Sequence, residues 1–106
     1  MLVWYFFPAR NNGTRATGLE PTFTLWVQLG TRIPLPPPPI TEIGNGLYQF
    51  PWDAHGNGDA IGQVDLCGTT PGVNPAAWSE GDRYVDITAT RESDAILSTL
   101  GRTTIQ

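Results

Sequence analysis

Residues 36–50, PPPPITEIGNGLYQF, constrain the fold more than any other stretch of this chain. Proline fixes φ and carries no N–H, so the run from Pro36 to Pro39 can neither continue a helix nor sit inside a sheet. Behind it, residues 40–43 alternate, Gly44-Asn45-Gly46 follows, and Leu47, Tyr48 and Phe50 open a second alternating segment. Asn-Gly supplies the positive-φ positions of a tight hairpin turn. The stretch predicts a stiff connector that delivers the chain into a β-hairpin. It carries no chemistry.

The rest of the chain extends the same pattern. Strands are expected at residues 2–7, 22–29, 40–43, 47–52, 60–66 and 83–88. In the second of these, Phe23, Leu25, Val27 and Leu29 alternate with Thr22, Thr24, Trp26 and Gln28, the period of a strand with one face to the core. On that period Trp26 lies on the polar face and needs its own cover. Gly62 is expected to mark a bulge in the fifth strand. Tyr84, Asp86 and Thr88 oppose Val85, Ile87 and Ala89 in the last. Twelve glycines and ten prolines in 106 residues suit short strands parted by many turns, while 40% hydrophobic content with four Trp argues for a packed core. The fold class expected is all-β, an antiparallel sandwich or barrel forming a single domain over residues 1–90. Residues 91–106 break the alternation: Ile96 and Leu100 share a helical face with Leu97 beside them, and Gly101 stands at a helix stop. A short helix or an extended arm is expected there, docked on the sandwich or on a neighbouring subunit.

Charge and cysteine content narrow the function classes. Ten acidic residues face six basic ones, all arginine, for a net charge of −4. That sign, without a basic stripe, is wrong for nucleic acid. Arginine without lysine fits surfaces covered by other proteins, and equally the codon bias of a GC-rich genome. Cys67 is the only cysteine, so no internal disulfide forms, and its expected role is a small buried hydrophobe. The opening MLVWYFF is too short to span a bilayer and lacks a basic leader, so it reads as a buried strand and no membrane partner is expected. Asn12-Gly13-Thr14 matches a glycosylation sequon without a secretion signal to make it meaningful.

One cluster has the look of a site: Asp53-Ala54-His55-Gly56-Asn57-Gly58-Asp59. Alternating oxygen ligands followed by glycine are calcium-loop features. However, His55 stands where an oxygen is wanted and Val64 where the bidentate Glu belongs. The competing reading, a solvated loop built of turn formers, is preferred. His55 is the only imidazole, and Ser79, Ser93 and Ser98 lack a nucleophile motif, so no catalytic residue, cofactor or metal is expected. Trp52 and Trp78 lie near loops, where they could stack on sugars or seal an interface. Arg32 ahead of Pro34-Leu35-Pro36 resembles a polyproline ligand, and a crossover between two sheets accounts for it better.

Thr17-Gly18-Leu19, Pro21-Thr22-Phe23, the proline run, residues 40–50, Gly62-Gln63-Val64-Asp65 and Arg83-Tyr84 together form a turn-and-strand pattern. It is similar to small immunoglobulin-like β-sandwich virion structural proteins of tailed bacteriophages, over roughly residues 17 to 90. The resemblance implies an immunoglobulin-like sandwich and a non-enzymatic role. The chain would be a tail, neck or fibre-attachment subunit, or a capsid-decoration protein, assembled in the host cytoplasm from copies of itself and other virion proteins. Contact residues expected on this reading are Trp4, Phe6, Trp52, Trp78, Ile96, Leu97 and Leu100. A carbohydrate-binding or adhesive module is the alternative of another class.

Overall fold

The computed structural model describes residues 2–90. Along the chain run β1 (Val3–Pro8), β2 (Arg10–Asn11), β3 (Thr14–Arg15), β4 (Thr22–Gln28), β5 (Thr41–Gly44), β6 (Leu47–Trp52), α1 (Ala54–Asn57), β7 (Ala60–Asp65), α2 (Glu80–Arg83) and β8 (Tyr84–Ala89). All pairings are antiparallel. One sheet has the order β1-β6-β5, the other β4-β7-β8, and β2 and β3 close a small hairpin. The described part of the chain is all-β, as expected, and each of the six expected strands falls within one residue of an observed one. The expected helix or arm over 91–106, with Ile96, Leu97 and Leu100, lies outside the described residues.

Turn chemistry sets the hairpins. Asn45 (φ 52) and Gly46 (φ 77) occupy the two left-handed positions between β5 and β6. The Glu42 carboxylate accepts the Gly46 N–H (3.1 Å) and the Gly18 N–H (2.8 Å), fastening this turn to the segment before β4. Asn12 (φ 55) and Gly13 (φ 79) make the same kind of turn between β2 and β3, so the sequon is part of a hairpin that the sequence reading passed over. The proline connector first runs along the free edge of β4. There the Gln28 N–H donates to Ile33 O (2.8 Å) and the Leu35 N–H to Trp26 O (2.9 Å), before the chain crosses to β5 in the other sheet.

The two sheets share one aromatic core. Tyr5, Phe7, Tyr48, Phe50 and Trp52 come from β1 and β6; Trp26, Ala60, Val64, Ile87 and Ala89 come from the other sheet. Tyr5 stacks on Phe50 (5.5 Å between centroids). Across the interface, Phe23 meets Phe50 edge-on (5.3 Å) and Trp26 meets Trp52 likewise (5.0 Å). Such pairs add about 0.5–1.5 kcal/mol each beyond the area they bury. Burial raises the pKa of the Tyr48 phenol; its hydroxyl donates to Ala16 O (3.0 Å) and accepts the Leu19 N–H (3.1 Å).

Two expectations about β4 and β7 are corrected. Trp26 is 4% exposed and faces the core, whereas Leu25 is 52% exposed and faces out. The cause is a bulge: Phe23 pairs with Val64 and Leu25 with the adjacent Gln63, so Thr24 is an extra residue and every later side chain changes face. Gly62 itself carries no bulge. It sits directly opposite Trp26, where a Cβ would overlap the Leu25 carbonyl oxygen and come within 2.7 Å of Trp26 Cε3. Its missing side chain is the space the indole uses.

Candidate interaction surface

Past the bulge, the outer face of the β4-β7-β8 sheet becomes apolar. Leu25 stands opposite Gln63 and then Asp86; Val27 stands opposite Ile61 and then Thr88. Leu25, Val27, Ile61 and Gln63 floor an open depression of about 790 Å³, with Pro34 and Arg32 of the connector on one side and Asp86 on the other. A tight turn holds the connector there: Arg32 has φ 60, its N–H donates to Gln28 O (2.9 Å), and Thr31 Oγ1 donates to Gln28 Oε1 (2.8 Å). Leu29 and Ile33 flank the turn and are also exposed. Chemically, this is a greasy floor between an arginine and an aspartate. It can take an apolar side chain and orient it by charge, and it offers no nucleophile.

The other sheet has an outward set of its own. Trp4 on β1 is 43% exposed and lies opposite Pro51, while half-buried Phe6 lies opposite Gln49. Of the expected contact residues, Trp4 and Phe6 thus point outward. Trp52 does not: β6 alternates strictly, so Trp52 follows Tyr48 and Phe50 into the core, 5% exposed, and its Nε1–H donates to Gly58 O (2.9 Å). Trp78 is half-buried against the same core. Leu25, Val27 and Ile61 were missed as surface residues because strand period alone placed Leu25 and Val27 inside. The signal available was Trp26, too large for a solvated face and matched in register by a glycine.

The Asp53–Asp59 loop is a different object from a metal loop. Asp53 caps the one-turn helix α1 by accepting the Gly56 N–H (3.0 Å), and His55 is exposed. Among the described residues no group of three or more His, Cys, Asp or Glu side chains could hold a metal ion, and no helix is long and apolar enough to cross a membrane. Ser79 caps α2, accepting the Asp82 N–H (3.3 Å). A well-made ion pair between described residues is structural in position. Arg83 Nε and Nη2 donate to Asp65 Oδ1 and Oδ2 (3.0 and 2.9 Å), and the Cys67 N–H also reaches Oδ1 (3.0 Å), so the end of β7 is clamped to the start of β8. The Arg83 hydrogen bonds hold the Asp65 carboxyl below its ordinary range, against the opposing effect of burial. Burial first, then the Asp65 charge, pushes the Cys67 thiol up, which keeps it protonated and inert.

Comparison with protein-family models, curated proteins and solved structures returns no match for this chain.

Proposed function

We propose that the chain is a non-enzymatic virion structural protein of a tailed bacteriophage, acting through its outer surfaces as a tail, neck or fibre-attachment subunit. Capsid decoration is the variant of the same reading. The observation that carries it is the outward turn of Leu25, Val27 and Ile61 on β4 and β7, which gives a small domain an apolar contact face between opposite charges. Grouped apolar surface of this kind is costly to leave in water and marks a place where another protein binds.

The strand order supports the immunoglobulin-like part of this reading. If the small β2–β3 hairpin is left out and the six long strands are lettered B to G in chain order, the sheets read B-E-D and C-F-G. That is the immunoglobulin order without strand A. Trp26 then lies on strand C, where immunoglobulin domains keep a buried tryptophan. Domains of this type serve many roles, so the role rests on the surface and on the turn-and-strand resemblance rather than on the fold. Trp52, closed into the core, no longer supports the sugar-stacking alternative.

The reading is tested on density-purified particles released by cells that carry this gene in its native setting. Peptides of the chain are expected in the particles at stoichiometric abundance, with antibody labelling confined to one structure of the particle. A chain found only in the soluble fraction would refute the assignment.

A further inference from the structure

Among the described residues, β1 pairs only with β6, so on its other edge the alternate backbone N–H and C=O groups of Val3–Pro8 meet no described strand. The remaining edges are handled differently. The connector is bonded along β4. β5 is short and bulged and carries Glu42. β8 carries Asp86 and follows the acidic turn of Glu80 and Asp82. Edge strands are ordinarily protected by charge, bulges or cover. In β1, VWYFFP, there is no charge and no bulge, and among the described residues Pro8 at its end is the sole guard.

We infer that this edge is the seam of a homodimer in which β1 pairs antiparallel with β1 of a second copy, giving a continuous sheet β5-β6-β1-β1-β6-β5. A two-fold axis forces the antiparallel sense, and one strand then serves as both halves of the contact. With the axis at Tyr5, Trp4 falls opposite Phe6 of the second copy and Phe6 opposite its Trp4. The outward aromatics therefore meet as two cross-strand pairs, and the inward residues stay inward.

Charge selects the same seam. The chain is acidic overall, so two copies repel through most of their surface. Neither β1 nor its neighbour β6 bears a charged residue, whereas contact through β8 or β5 would bring Asp86 or Glu42 against its own copy. The inference goes beyond the virion reading, because it stands on the sheet edge alone and holds whatever particle or complex the chain enters.

The test is sedimentation equilibrium of the full chain from about 1 to 500 µM, the range in which interfaces of modest size associate. A monomer–dimer equilibrium is expected. Trp4→Lys should weaken it at least tenfold, and Leu25→Lys, on the other sheet, should leave it unchanged. Amide exchange of β1 in the unaltered chain, which needs no variant to fold, should slow as concentration rises. A monomer at every concentration would overturn the inference. So would a dimer indifferent to Trp4→Lys, a dimer lost in Leu25→Lys, or β1 exchange independent of concentration.

Discussion

Gly62→Ala is the sharpest probe of the packing described here, because competing effects give it opposite signs. Gly62 lies in ordinary strand backbone, not in the left-handed region, so any L-residue fits its dihedral angles. Considered alone, removing glycine from a strand should stabilise by about 0.4–1 kcal/mol, through a less disordered unfolded chain. Sterics point the other way. The new methyl overlaps the Leu25 carbonyl and reaches 2.7 Å from Trp26 Cε3. Relief requires either that β4 part from β7 or that the indole swing away. Separation disrupts ladder hydrogen bonds worth about 1 kcal/mol each net. Rotation disturbs the contacts of Trp26 with Phe23, Phe50 and Trp52, at about 0.5–1.5 kcal/mol apiece. Overpacking strain of about 1–3 kcal/mol comes with either response. A net loss of about 3 kcal/mol is expected, a large part of the roughly 5–15 kcal/mol available to a domain. Urea unfolding followed by tryptophan fluorescence measures it. Gly81→Ala is the control: that Cβ meets nothing within 4 Å, and alanine in α2 should raise stability by a few tenths of a kcal/mol up to about 1. If Gly62→Ala unfolds within about 0.5 kcal/mol of the unaltered chain, the close approach of β4 to β7 at Trp26 is refuted.

Three further outcomes follow from the same contacts. Asp65 titrates below its unfolded value, so its contribution is complete above about pH 4 and is lost as pH falls through the folded pKa; Asp65→Asn should lower stability at pH 7 and flatten this acid limb in thermal melts taken from pH 6 to 2. Trp52→Ala should cost about 3–5 kcal/mol as a core truncation, and Trp4→Ala less than about 1 kcal/mol in dilute protein, read by the same urea titration. Deleting Thr24 should leave a folded domain, losing under about 2 kcal/mol, because Leu25 then follows Phe23 in an unbroken ladder with Trp26 still inward. A red-shifted tryptophan emission in that variant would show that the bulge had been misplaced.

The hairpins and strand positions were legible because they depend on local chemistry. Asn45-Gly46 demands its turn whatever the rest of the chain does, and the proline run excludes every regular element but a connector. The facing of β4 was not legible in that way. Alternation over residues 22–29 is consistent with two registers, and only contact with β7 decides between them. There a glycine leaves room for an indole that the other face could not cover. Trp52 differs from expectation for a related reason: it lies near a loop in sequence, but the parity of β6 sends its side chain inward with Phe50.

The candidate surface and the core are therefore consequences of one inserted residue. Were Thr24 paired as an ordinary strand residue rather than bulged out, strand parity counted from Phe23 would put Leu25 and Val27 inside and Trp26 outside, and solvent would meet an indole in place of a leucine and a valine. Sequence period is blind to such an insertion because the bulge costs little locally and is selected by what it lets the far side bury. Trp26 gains edge-on contacts with Phe50 and Trp52 in the core, and the same step turns Leu25 and Val27 out beside Ile61. A surface made in this way is tied to the core behind it: substitutions that displace Trp26 should disturb the outer face even where they touch none of its residues.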